Sequence, residues 1–420
     1  MASAVIGRTD ELAAIEAFLD GVWHGPRTLV FAGEAGIGKT LLWETGVARA
    51  KGRVGRVLSC RGVEAEASLS FSVLSELIGP IFDEVSPFLA GPRRRALAVA
   101  LLLAEPGEER PDTLAIGLAV LDVLRVLATD GPVVVALDDA QWLDPASNGA
   151  LGVALRRLED DHVGVLATVR TASQPDMPAE LGWTFPHGRI EHRTVGPLSL
   201  SAVQELLRER LALELTRLEL GRFHEATAGN TFFALELGRE LVRTGTRPAA
   251  GRAVPVPESL RGLLGSRLSR LPAETVDVLV QAAALARPTV EFVVAAYGNR
   301  ERVLAALEGA SREGVIELDD LRIRFAHPLL ASVCYERVPV WKRRAVHRAL
   351  ADAVTDLEEQ ARHLALAAAG PEAPASARLE VAAEHAAARG ATAAAAELAE
   401  LAVDLTADDP VLTRKRRLLA

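Results

Sequence analysis

Four short runs along the chain are almost wholly apolar and rich in β-branched residues: Thr28–Ala32, Arg56–Cys60, Val133–Leu137 and Val163–Val169. Such runs predict strands buried on both faces, and the helical patterns between them predict a parallel α/β sheet. Ile190–Val195 is a fifth, weaker run. Between the second and third lies a helical stretch, Phe71–Leu127, broken near Gly79-Pro80, Gly91-Pro92 and Pro106-Gly107. The character changes near Leu200. Ser199-Leu200-Ser201 reads as a helix start, followed by Val203, Leu206, Leu207 and Leu211 at helical spacing. Strand signals then vanish until Val315–Leu318 and Arg322–Ala326, which flank Asp319-Asp320 and predict a short hairpin attached to helices, a winged-helix signature. Arg247–Pro257 reads as a linker. Beyond Trp341 the pattern is helical, and Ala361–Ala402 is alanine-rich enough to predict closely packed, stacked helical hairpins without a clean repeat period.

At 420 residues the chain has room for two to four domains, and 49% hydrophobic with 25% charged residues is ordinary for a globular protein. The formal net charge of −9 provides no global basic field for nucleic acid. The two cysteines, Cys60 and Cys334, fall in different predicted domains, which argues against a disulfide framework and for a reducing, cytoplasmic setting. Met1–Leu12 does not resemble a signal peptide, and Leu97–Ala104 is too short for a bilayer. Ala391–Leu405 is interrupted by Glu397, Glu400 and Asp404, so no membrane segment is expected.

Chemistry enters at Gly33-Glu34-Ala35-Gly36-Ile37-Gly38-Lys39-Thr40, a complete G-x-x-x-x-G-K-T loop between a predicted strand and a helix opening at Leu41. The glycines let consecutive N–H groups face one point, and the helix N-terminus adds partial positive charge. Lys39 can reach β- and γ-phosphates, and the Thr40 hydroxyl can ligate Mg²⁺. A second motif closes the third strand, where Asp138 is assigned to the metal and Asp139 to the general base. The alternative is two solvated acids opening a loop. Neither is the longer Glu of many fast ATPases, so slow turnover is expected. Arg170, at the tip of the fourth strand, is a candidate γ-phosphate sensor; otherwise it is an arginine solvated at a strand end.

The order Ile6-Gly7-Arg8-Thr9-Asp10-Glu11-Leu12, GEAGIGKT, LDDAQWLD and ATVR resembles the signal-transduction ATPases with numerous domains, or STAND class, related to AAA and NB-ARC ATPases. More narrowly, it resembles the large LuxR-type transcriptional activators similar to the maltose regulator. The resemblance implies an α/β P-loop NTPase core at 1–198 and an all-α lid at 199–250. A winged-helix domain at 251–345 and the start of a TPR-like helical array at 346–420 would follow. It places Gly7 and Arg8 beside the nucleotide. It likens Gly229-Asn230-Thr231 to a Gly-x-Pro segment over adenine, with Thr231 where proline is usual. It makes His327, in Arg324-Phe325-Ala326-His327-Pro328, a reader of the ADP β-phosphate.

The implied function is an ATP/ADP-binding switch with Mg²⁺ and slow hydrolysis, self-associating or binding a protein partner in the ATP state. The alternatives are a stand-alone AAA-type remodelling ATPase or a winged-helix DNA-binding protein. The acidic balance argues against direct DNA binding, and it makes the basic stripe Arg337, Lys342, Arg343, Arg344 and Arg348 a solvated helix face. No DNA-reading helix pair is recognisable before Ala420. The expectation is therefore a truncated copy of such a regulator or a switch module without its own reader.

Overall fold

A computed structural model describes residues 5–107, 112–170, 190–244, 268–326 and 328–406. Five strands, β1 (Arg27–Gly33), β2 (Arg56–Arg61), β3 (Val133–Asp138), β4 (Val163–Arg170) and β5 (Ile190–Thr194), form one parallel sheet in the order β2-β3-β4-β1-β5. Helices α1 (Thr9–Val22) and α2 (Lys39–Lys51) cover one face through Ile15, Phe18, Leu19 and Leu42. The other face is covered by α3 (Ser72–Ile78), α4 (Gly91–Ala100), α5 (Thr113–Ala128) and α6 (Pro145–Leu155). Burial on both faces is why β3 and β4 are nearly continuous apolar runs. Because every strand is parallel, all carboxyl ends lie along one edge. The glycine loop leaves β1 and the two aspartates leave β3, with β4 between them. The register pairs Gly33 with Arg170 and Arg61 with Asp138, so the loop and the acids converge on that edge.

Helices α7 (Leu200–Leu211), α8 (Arg217–Thr227) and α9 (Thr231–Thr244) form a small bundle around Val203, Leu207, Phe223 and Leu237. Its start is sharp: the Ser199 hydroxyl caps α7, and Thr216 with Glu219 closes a capping box on α8. A third unit comprises α10 (Ala273–Ala284), α11 (Val290–Tyr297) and α12 (Arg300–Arg312). An antiparallel hairpin follows, β6 (Ile316–Asp319) and β7 (Arg322–Phe325), and Arg322 makes one further bridge to Thr289. Then come α13 (Pro328–Glu336) and α14 (Val340–Ala353). The hairpin turn holds Asp320 in the left-handed region at φ 52°.

The last described helices, α15 (Leu357–Ala367), α16 (Ala373–Ala388) and α17 (Thr392–Asp404), fold back onto the α/β core. Ala382, Ala383, Ala386, Ala395, Ala399 and Leu398 are buried in one continuous apolar cluster with residues of α5 and α6. Short side chains let these helices approach closely. A buried ion pair reinforces the contact. Arg389, 3% exposed, donates to Glu358 Oε1 at 3.0 Å and to the carbonyls of Ser70 and Ala100 at 2.9 Å. Glu358 Oε2 accepts the Ser70 amide and hydroxyl at 3.2 and 2.9 Å. Arg287, between α10 and α11, ties the third unit to the core, 3.1 Å from Glu66.

Between α13, α14 and α15 runs a buried polar chain, Tyr335 to His347 at 2.6 Å and His347 to His363 at 2.9 Å. Burial, then the neighbouring His363 and Arg343, push His347 down to about 4. The basic stripe is a largely exposed helix face whose cations have surface partners: Lys342 pairs with Asp277, Arg348 with Glu372, Arg337 with Ser269, and Arg343 lies over the Tyr335 ring. Both cysteines are free and buried. Among the described residues no helix is long and apolar enough to cross a membrane.

Candidate functional site

The glycine loop turns at Gly36 and Gly38, which stand at φ 78° and 109°, backbone that a β-carbon disfavours. A side chain at Gly36 would also meet the Cβ of Phe232 at 2.8 Å. Helix α2 begins at Lys39 with no side chain capping its first turn. Its leading N–H groups, at Lys39, Thr40 and Leu41, therefore remain available to an anion, as does the positive end of its dipole. Lys39 is buried, and its Nζ donates to the carbonyls of Gly33 and Glu34, both at 2.9 Å. Burial lowers its pKa, while the carboxylates of Asp139, Asp138 and Glu34 pull it back.

Asp138 is 1% exposed. One oxygen accepts the Thr168 hydroxyl at 2.6 Å, and the nearby Thr40 side chain helps to hold the pKa of this carboxylate down. The other oxygen, Oδ2, has no hydrogen-bond donor; Arg61 Nε lies 3.0 Å away as a charge partner without hydrogen-bond alignment. Burial raises the Asp138 pKa, and Arg61 opposes that rise. Asp139 stands at φ 48°, a strained backbone for a residue with a β-carbon. Its amide donates to Thr168 Oγ1 at 2.8 Å, so a single hydroxyl orients both acids. Gln141 Nε2 donates to Asp139 Oδ1 at 2.9 Å, and the Arg170 amide donates to Gln141 Oε1 at 3.0 Å. The Arg170 guanidinium lies 3.5 Å from Asp139. Both motifs are legible in the sequence, whereas the parts played by Thr168, Gln141 and Arg61 are not. The strings ATVR and DDAQWLD contain the first two, yet nothing in them reveals which side chains meet.

Arg8, 6% exposed, donates to Ile37 O at 2.8 Å and Gly196 O at 2.7 Å, binding the start of the chain to the loop and to the segment before α7. Gly7, at φ 67°, packs where a β-carbon would sit 2.5 Å from that of Ala202. The start of α9 reaches the loop from the other side. Asn230 Nδ2 donates to Ala35 O at 3.0 Å, Thr231 Oγ1 to Ile37 O at 2.9 Å, and the Phe232 amide to Gly36 O at 2.9 Å. Gly7, Arg8, the loop, Lys39, Thr40, Asp138, Asp139 and Arg170 thus gather at one sheet edge. His327 lies outside the described residues.

This arrangement fits a phosphate and a divalent cation. The uncapped start of α2 supplies amides, Lys39 supplies a buried ammonium, and Asp138 Oδ2 is a buried carboxylate oxygen without a donor near Thr40.

Residues 4–169 match the family model of the AAA ATPase domain. No curated protein matches the chain. Among solved structures, a signal transduction ATPase with numerous domains carrying a tetratricopeptide repeat sensor, from Pyrococcus horikoshii, aligns with 99% of this chain at 14% identity and a TM-score of 0.55. This chain spans 60% of that protein's length. A Walker-type ATPase of Pyrococcus abyssi aligns with 79% of this chain and 96% of its own, at 18% identity and a TM-score of 0.39. Residues 4–169 are thus an AAA ATPase domain, within a chain whose fold is similar to that of a STAND ATPase along nearly its whole length.

Proposed function

We propose that the chain is an adenine-nucleotide switch of the STAND class with slow ATPase activity, the module of a LuxR-type transcriptional regulator. The observation that carries this reading is the direct bonding of the α9 start to the glycine loop through Asn230, Thr231 and Phe232. A nucleotide that orders or displaces that loop acts on the helical lid through three hydrogen bonds. In a plain turnover enzyme the loop need hold only phosphate. ATP with Mg²⁺ favours an open state able to self-associate or bind a protein partner, and ADP favours a closed one. Residues 251–345 act as a winged-helix domain, and 346–420 begin a TPR-like array. His327 reads the ADP β-phosphate, a role taken from the resemblance alone.

Each residue has a defined task at the phosphates. The leading amides of α2, at Lys39, Thr40 and Leu41, and the Lys39 ammonium hold the β- and γ-phosphates. Gly7 and Arg8 fix the loop beneath the nucleotide. Asp138 and Thr40 would hold Mg²⁺, which supplies charge neutralisation at the phosphate oxygens. Asp139, oriented by Thr168 and Gln141, accepts the proton of the attacking water. Arg170 turns from Asp139 towards the γ-phosphate. The direct DNA-binding alternative is not favoured, because four cations of the basic stripe have partners within the chain.

Asp139→Asn tests the assignment of the base. It should keep ATP affinity within about threefold while lowering single-turnover hydrolysis by about 10²-fold or more, the usual contribution of a positioned base. Unchanged hydrolysis would remove Asp139 from the chemistry.

A further inference from the structure

We propose that Arg61 is a resident counter-cation for Asp138, which Mg²⁺ must displace in order to bind. The inference rests on the assignment of Asp138 to the metal. Strand β2 is the edge strand beside β3, and its last residue, Arg61, is in register with Asp138 at the carboxyl end. This puts a guanidinium on the far side of Asp138 from the glycine loop strand. Its Nε lies 3.0 Å from Asp138 Oδ2. A carboxylate so fully buried is costly without a neighbouring cation, and Arg61 supplies that charge when no metal is present. Yet the contact is not an aligned hydrogen bond, and Oδ2 keeps its lone pairs. The geometry neutralises the acid without saturating it.

Arg61 also has a second seat. Its Nη2 donates to Glu44 Oε1 at 3.1 Å, and the guanidinium lies 5.7 Å from the centre of the Trp43 ring. Both partners are on α2, just beyond Thr40, and the Arg61 side chain is 38% exposed. When a divalent cation takes Oδ2, the guanidinium can leave that oxygen while keeping Glu44, the aromatic face and water. Two cations cannot share one carboxylate oxygen without repulsion, so Arg61 raises the Mg²⁺ concentration at which the metal enters. It also keeps Asp138 compensated in a metal-free nucleotide complex. Arg61 is therefore a positioning residue that sets the metal dependence of the site.

The test uses the full chain loaded with a fluorescent ADP analogue, into which Mg²⁺ is titrated at constant ionic strength. Wild type should show a saturable Mg²⁺-dependent change. Arg61→Gln should move its midpoint about tenfold lower, the size of one lost charge contact beside a buried acid. Arg61→Lys, which keeps the cation, should stay within about threefold of wild type. An Arg61→Gln midpoint equal to wild type overturns the proposal, as do equal shifts in both variants, which would make packing rather than charge the cause. Loss of analogue binding in Arg61→Gln overturns it too, because a counter-cation is dispensable for holding phosphate. If wild type binds the analogue but does not respond to Mg²⁺, the metal assignment of Asp138 fails, and the proposal with it.

Discussion

Lys39→Ala is expected to weaken ATP and ADP binding by about 100-fold or more, with the fold retained. The ammonium is buried, its only described bonds are to the Gly33 and Glu34 carbonyls, and both carbonyls belong to the loop that would wrap the phosphates. Moving Nζ from those carbonyls to phosphate oxygens replaces neutral acceptors with anionic ones, and charge-assisted bonds of this kind are each worth about 1.5–3 kcal/mol. Alanine removes that gain and leaves two phosphates facing Asp138 and Asp139 without the compensating cation. Equilibrium titration with each nucleotide measures the loss. Affinity equal to wild type would overturn the phosphate assignment. The far-ultraviolet circular dichroism spectrum should not change, since α2 and β1 keep their packing.

Arg389→Ala should have the largest effect on stability, a loss of about 3–5 kcal/mol, the range found when one member of a buried ion pair is removed. Arg389 serves three acceptors, and its deletion strands Glu358, which is 1% exposed, together with the Ser70 and Ala100 carbonyls. Burial already lowers the Arg389 pKa, with Glu358 opposing, as expected of a cation held by one anion out of water. Arg389→Lys should recover part of the loss, because an ammonium cannot reproduce the planar fork. Urea unfolding midpoints measure the difference. Amide exchange should speed up at Ser70 and in α16, where the tie between core and helical units is broken. An unchanged midpoint would mean that the pair contributes nothing.

The α/β core was legible because its strands are buried on both faces. Val133–Leu137 and Val163–Val169 read as apolar runs and form β3 and β4 almost to the residue. The placement of the loop and the two aspartates was legible because each follows directly from the end of an apolar strand. The hairpin around Asp319-Asp320 was also readable, since short alternating strands flank a polar turn. Contacts made through backbone carbonyls were not readable. Thr231 looked like a departure from a proline position, yet its hydroxyl bonds Ile37 O across 194 residues of sequence. Arg8 reads as a group beside a nucleotide, and its donors also reach Ile37, Gly196 and Glu11. Arg61 carried no motif, because its role comes from register with Asp138. The alanine-rich stretch predicted close packing, but its composition could not say that α16 and α17 would pack on the same cluster as α5 and α6.

The central claim is that this chain holds its nucleotide as a state rather than consuming it as fuel. The most direct measurement is to purify the full chain without added nucleotide, release what it carries by acid, identify it by chromatography and record steady-state hydrolysis beside it. The account predicts ADP in near-equimolar amount and turnover far below the ~10 s⁻¹ typical of enzymes. An empty site with multiple turnovers at ordinary enzymatic rates would contradict it.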